Sequence, residues 1–150
     1  MKITVEIDKN YIEDEIVIKC KNFNDDLIKI QNVIRDITNN EFKLELYKEA
    51  GQYYISPGEI IYIESAGKEI FAHTVEDKFT VKHKLYELEQ ILPKYFVRIS
   101  KSTILNAKEV YSITRNLSSV GIVEFKNSAK KVFVSRGYYK LLKDKMREVR

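Results

Sequence analysis

Lys94–Asn106 (KYFVRISKSTILN) holds the side chains of this chain best suited to meeting an anion. Arg98, Ser100, Lys101, Ser102 and Thr103 stand between the apolar Tyr95-Phe96-Val97 and Ile104-Leu105. Cations and hydroxyls held at a strand end by buried flanks can meet a phosphate or a base edge, because the support fixes their direction. The same residues also suit an exposed polar loop in a β-rich protein. Glu109–Asn116 (EVYSITRN) follows closely and ends in Arg115 and Asn116.

Other chemistry is sparse. Of the two histidines, His73 falls in a strand pattern and His83 lies between Lys82 and Lys84, neither with a partner at metal-ligand spacing. There is no Gly-rich phosphate loop, no GxSxG and no HExxH. The chain reads as a non-enzyme with no cofactor and no small-molecule substrate. Its single cysteine, Cys20, excludes an internal disulfide and is expected to be a small buried hydrophobe. Tyrosines number 10, and several adjoin cations: Tyr95 beside Lys94 and Arg98, Tyr138-Tyr139 between Arg136 and Lys140. Such rings either stack on bases or belong to the core with their hydroxyls in water. No zinc finger, basic zipper or RNP-type motif occurs, and the helical candidates after residue 80 are too far apart for a helix-turn-helix.

Charge is divided along the chain. Residues 1–92 carry 12 Lys/Arg against 18 Asp/Glu, whereas residues 93–150 carry 14 against 4. A basic second half suits a polyanion, or serves only solubility. At 44% hydrophobic and 32% charged, the composition is that of a globular protein. No apolar run approaches the roughly 20 residues that span a bilayer. The alternating, acid-containing N-terminus resembles neither a signal nor a transit peptide, so a cytoplasmic location is expected.

The elements that must position these groups are mostly strands. Ile3, Val5 and Ile7 alternate with polar residues, as do Ile16, Ile18 and Cys20, which predicts a hairpin around the turn at residues 9–14. Phe23, Leu27, Ile30, Ile34 and Ile37 then mark one helical stripe, capped by Asn24 and ended by Asn39-Asn40. Residues 1–40 thus form a β-β-α unit too small to bury much alone. Strand patterns follow around Phe42–Leu46, Tyr53–Ile55, Ile60–Ile63, Ile70–Val75 and Phe79–Val81. A short helix over Lys84–Leu92 is stopped by Pro93. After Phe96–Arg98, strands at 109–114, 120–125 and 130–134 are separated by turns at 116–119 and 126–129. A final helix is expected to be capped by Ser135 and to bury Tyr138, Leu141, Leu142, Met146 and Val149. The fold class is mainly β with a few helices, α+β.

The order of these motifs resembles the LytTR-type DNA-binding domain. The carriers are Ile60–Ser65 (IIYIES), Phe71-Ala72-His73, the Leu-containing helix, Phe96, Arg98, Ser102 and Asn106 in F-x-R-x-x-x-S-x-x-x-N spacing, and Val110–Ile113. The resemblance covers about residues 42–148. It implies a β-rich domain that presents strand-end loops to successive major grooves of double-stranded DNA, at sites that are often repeated. By position, Lys68 with Glu69 would occupy one groove-reading turn, and Arg98 through Ser102 a second, with Lys101 at the base-contacting place. Ser135-Arg136 at the last helix would be the third, with Arg136 as reader; Arg115 and Asn116 complete the candidate set. Arg98 and Ser102 either contact phosphates or brace their loop, and Asn106 is expected to cap the following turn. Residues 1–40 have the wrong pattern for a phosphate-accepting receiver domain. The chain is therefore similar to the smaller stand-alone bacterial regulators of this family, whose N-terminal attachment would serve homodimerisation. The rival reading is an interaction module whose basic half meets an acidic partner, such as the cytoplasmic face of a membrane protein.

Overall fold

The computed structural model describes residues 2–38, 42–116 and 120–149, with the side chains of 35–38 left aside. The chain divides into two compact units, 1–40 and 41–150. The expected helix ending at Asn39-Asn40, the side chain of Ile37 and most of the turn at 116–119 fall outside the described residues.

In the first unit the helix forms and the hairpin does not. Helix α1 spans Asp25–Thr38. Its first turn carries Asp25 and Asp26, which suit the positive end of the helix dipole. Asn24 caps it, its Oδ1 accepting from the Leu27 amide at 2.9 Å. Leu27 is buried and Ile30 and Ile34 are half-buried, whereas Phe23 is exposed. Phe23 precedes the cap, so the helical period does not govern where it points. The turn forms as expected, with the Tyr11 amide donating to the Asp8 carbonyl. No strand occurs at residues 2–20, and Ile3, Val5 and Ile7 are 79–91% exposed. Two strands gain stability only when an apolar face is covered, and here that face is open. For the same reason Cys20 is exposed rather than buried.

The second unit is built on antiparallel strands. They are β1 Leu44–Lys48, β2 Gly51–Ile55, β3 Tyr62–Ala66, β4 Glu69–His73, β5 Lys78–Val81, β6 Phe96–Ser100 and β7 Thr103–Asn106. These seven form one sheet in the order β2-β1-β5-β4-β3-β7-β6. A second sheet, β10-β9-β8, comprises β8 Val110–Arg115, β9 Gly121–Phe125 and β10 Lys131–Val134. Helices α2 (Leu85–Ile91) and α3 (Tyr139–Glu148) complete the unit. The fold is α+β and mostly strand, as the sequence predicts.

Both faces of the larger sheet are covered, which explains the unbroken apolar run at Ile60–Ile63. Ile60 and Ile63 join a core with Leu44, Phe79, Ile104 and the α2 residues Leu85 and Leu88. Ile61 and Tyr62 join a second core with Val97, Ile99, Leu105, the smaller sheet and Leu142 of α3. Leu92 takes an extended conformation before Pro93, ending α2 where proline disfavours helix in its predecessor.

The start of the last helix differs from expectation. A 3₁₀ turn at Arg136–Tyr138 precedes α3, and Ser135 caps it through its carbonyl, which accepts from the Tyr138 amide at 2.9 Å. The Ser135 hydroxyl makes no capping bond. In the register that follows, Leu142 is fully buried, Tyr138, Tyr139, Met146 and Val149 pack around it, and Leu141 is half exposed.

Candidate nucleic-acid interface

The β6–β7 turn is short and irregular. Ser100 pairs with Thr103, leaving Lys101-Ser102 as a two-residue turn, and neither residue takes a positive φ. Two-residue hairpins favour turns with positive φ because those match strand twist. This turn is instead held by side chains. Arg98 Nε donates to the Ser100 carbonyl at 2.7 Å, and its Nη2 donates to the Lys101 carbonyl. Its Nη1 lies 3.3 Å from Glu89 Oε1 on α2. The Ser102 amide donates to Ser100 Oγ at 3.2 Å. Lys101 and Ser102 are exposed.

Hydrogen bonds connect this turn to the other candidate regions. The Ser65 amide on β3 donates to the Ser102 carbonyl at 2.8 Å. One residue further, Ala66 pairs with Glu69 and leaves Gly67-Lys68 as the β3–β4 turn. Gly67 has φ +64°, as a two-residue hairpin with glycine in its first central place requires. On the other side, a bulge in β6 leaves Ile99 outside the β7 ladder. The Ile99 carbonyl accepts from the Ser135 amide at 2.9 Å, which sets Arg136 beside the same turn. Val134 pairs with Gly121, and Gly121 with Arg115, so Arg115 and Asn116 share that end of the unit. Lys68, Glu69, Arg98, Ser100, Lys101, Ser102, Arg115, Asn116, Ser135 and Arg136 are therefore brought to one end.

The cations there differ in how far they are committed. Among the described residues, no ion pair engages Lys68, Lys101 or Arg136, and all three are exposed. The Arg98 side chain, by contrast, is 19% exposed and its guanidinium is spent on two carbonyls and a carboxylate. The Arg115 guanidinium lies 4.6 Å from the centroid of the Tyr139 ring. Gly121 keeps room for that ring, since a β-carbon there would stand 3.3 Å from it. Lys140 and Lys143 continue the exposed cations along α3.

Asn106 is 1% exposed. Its Nδ2 donates to the Ile60 carbonyl and its Oδ1 accepts from the Lys108 amide, both at 3.0 Å, so it caps the turn at Ala107–Glu109 as expected. Tyr95 is half-buried against Phe96, with Lys108 rather than Lys94 or Arg98 over its ring. Burial raises its phenol pKa above the ordinary value.

At the end of the β3–β4 hairpin away from its turn, His73 Nε2 lies 2.8 Å from Glu64 Oε1, and the ring stacks on Tyr62 with centroids 4.2 Å apart. Lys130 Nζ, from the β9–β10 loop, approaches His73 Nδ1 at 3.3 Å and donates to the Thr74 and Asp77 carbonyls. Burial holds the His73 imidazole below its ordinary value, with Lys130 acting the same way and the Glu64 hydrogen bond opposing. Burial also lowers the Lys130 ammonium pKa and pushes the Tyr62 phenol up to about 12. Among the described residues no cluster of three or more His, Cys, Asp or Glu could hold a metal, and no helix is long and apolar enough to cross a membrane.

Three participants escape sequence reasoning. Ser65 acts through its backbone amide, for which residue type gives no signal. Glu89 reaches Arg98 across Pro93, which no local spacing marks. Tyr139 is visible as an aromatic between cations, but its pairing with Arg115 depends on how α3 packs.

Residues 50–147 match the family model of the LytTr DNA-binding domain. The chain belongs to the LytTr family. The chain is also 31% identical, over 97% of its length and 98% of theirs, to uncharacterized HTH-type transcriptional regulators of Staphylococcus aureus strains NCTC 8325 / PS 47 and N315. A solved LytTr DNA-binding domain from Bacillus cereus matches with a TM-score of 0.64 at 25% identity, covering 69% of this chain and 95% of that one. The relatives' names say HTH-type, yet β6–β10 separate α2 from α3 in this LytTr chain, and β1–β5 separate α1 from α2. The described residues contain no helix-turn-helix.

Proposed function

We propose that this LytTr chain is a bacterial transcription regulator that binds double-stranded DNA in a sequence-specific manner through the end of its larger sheet. The observation that carries this reading is the convergence of Lys68, Lys101 and Arg136, exposed and outside any ion pair among the described residues, on one hydrogen-bonded frame. Lysine and arginine are the commonest readers of guanine in the major groove. Lys101 and Arg136 enter one groove from adjacent supports, and Lys68 with Glu69 enters the next. Ser102, Arg115 and Asn116 meet the intervening sugar-phosphate backbone, while Arg98 and Ser100 keep the Lys101 turn in shape. The names of the Staphylococcus relatives support the regulatory part of this reading.

The N-terminal unit pairs two copies of the chain, covering the apolar residues that stand exposed on it, and the dimer engages repeated sites in the cytoplasm. The test is a gel shift with genomic fragments at moderate salt. Retention of a small set of sequences is the expected result. Equal retention of all fragments would overturn the reading in favour of an interaction module whose basic half meets an acidic protein partner.

A further inference from the structure

Arg98 donates to the carbonyls of Ser100 and Lys101, the two residues that set the direction of the Lys101 side chain. Three directed donors on one planar group are useful only if that group is itself held. Among the described residues the guanidinium has one carboxylate partner, Glu89 Oε1 at 3.3 Å, and that carboxylate comes from α2 rather than from the hairpin. Helix α2 is anchored in turn, with Leu85 and Leu88 buried in the core on its face of the sheet. A continuous strut therefore runs from α2 through Glu89 and Arg98 to the backbone of the turn. The turn itself lacks the positive φ that favours two-residue hairpins, so its shape depends on such bonds.

We propose that Glu89 is a positioning residue for DNA recognition, fixing the Lys101 turn through Arg98 without touching DNA. This inference rests on the DNA-reading role proposed above. An acid near a DNA-facing surface would ordinarily oppose binding through its charge. Glu89 is expected to do the reverse for the correct sequence. When it is removed, Arg98 is released to seek phosphates, so affinity for any DNA is kept or rises while discrimination falls.

The experiment compares the full chain with Glu89→Ala and Glu89→Gln, after checking that thermal midpoints agree. Hydrogen exchange on the free proteins reads the turn directly. The Ser102 and Thr103 amides should exchange several-fold faster in Glu89→Ala and less so in Glu89→Gln, which keeps an acceptor. Affinities are then measured, across a salt series, for a duplex selected by the wild-type chain from a random-sequence pool and for its shuffled counterpart. Glu89→Ala should reduce the ratio of the two affinities about tenfold, the scale of losing one well-placed base contact. The salt dependence should be unchanged or steeper. Unchanged exchange at the turn would overturn the strut whatever the DNA result. An equal change in affinity for both duplexes would also overturn the proposal, showing Glu89 to act only as a charge. Faster exchange in a chain whose wild type does not discriminate would leave the brace standing but overturn both its role in recognition and the DNA-reading assignment.

Discussion

Lys101 and Arg98 are three residues apart and carry the same charge, yet their surroundings assign them opposite work. Lys101 is exposed on the turn, whereas Arg98 is bound to the backbone that supports it. Lys101→Glu should therefore abolish sequence-specific binding in a gel shift and leave the thermal midpoint within about 2 °C, since exposed substitutions away from such features change stability by at most about 0.5 kcal/mol. Retained affinity for the selected site would remove Lys101 from the interface. Asn106 is the contrasting case. Asn106→Ala strands the Ile60 carbonyl and the Lys108 amide, and urea unfolding should show a loss of about 1–3 kcal/mol. That role was legible, because an asparagine before a turn has few other uses. The role of Arg98 was not, because phosphate contact and loop bracing demand the same residue type. Only the positions of two carbonyls and of Glu89 separate them.

At the scale of elements, apolar patterns located the strands of the second unit other than β7, because each has a layer to bury against; β7 is buried at all four positions and so shows no alternation. Where both faces are covered, as at Ile60–Ile63, the signal becomes a run but still marks the strand. The same alternation at residues 2–20 misled, since a pattern records which face could be buried and not whether anything covers it. Leu141 failed for a different reason: it stands about 100° round the helix from Leu142, beside the stripe that Tyr139, Leu142, Met146 and Val149 pack into the core. The His73 cluster, joining β3, β4 and the β9–β10 loop, yields a prediction at this scale. Glu64, Lys130 and Lys78 are the charged groups acting on it, with Tyr62 stacked against the ring. The folded imidazole titrates below its ordinary value, so as pH falls the unfolded chain takes up the proton first. The stabilisation is complete above about pH 6.5, the unfolded value, and is lost as pH falls from there through the lowered folded value. Urea midpoints measured from about pH 7.5 to 5.5 should decline in the wild type and decline less in His73→Gln. Parallel declines would show that other groups govern this window.

For the whole molecule, the charge division and the exposed N-terminal apolar residues make separable demands. On the proposed reading the basic second half acts through phosphates, so log affinity should fall with log salt by about 0.9 for each phosphate contact. The proposed self-association through Ile3, Val5, Ile7, Ile16 and Ile18, which are 37–91% exposed, would be hydrophobic and should be nearly indifferent to salt. An Ile7→Asp, Ile16→Asp variant of the full chain separates the two. Sedimentation at micromolar concentration should change from dimer to monomer, while affinity for a duplex with one site stays within about twofold, because no candidate reader has been altered. On a duplex with two sites a wild-type dimer would hold its second domain at high effective concentration, a gain of about a hundredfold or more where the geometry permits both to engage. The variant should lose that gain and keep the salt slope of single-site binding. Equal affinity of the two proteins for the two-site duplex would mean that residues 1–40 serve something other than pairing copies of this chain. The apolar residues would then call for a different partner, and the single-site binding measured alongside would still stand.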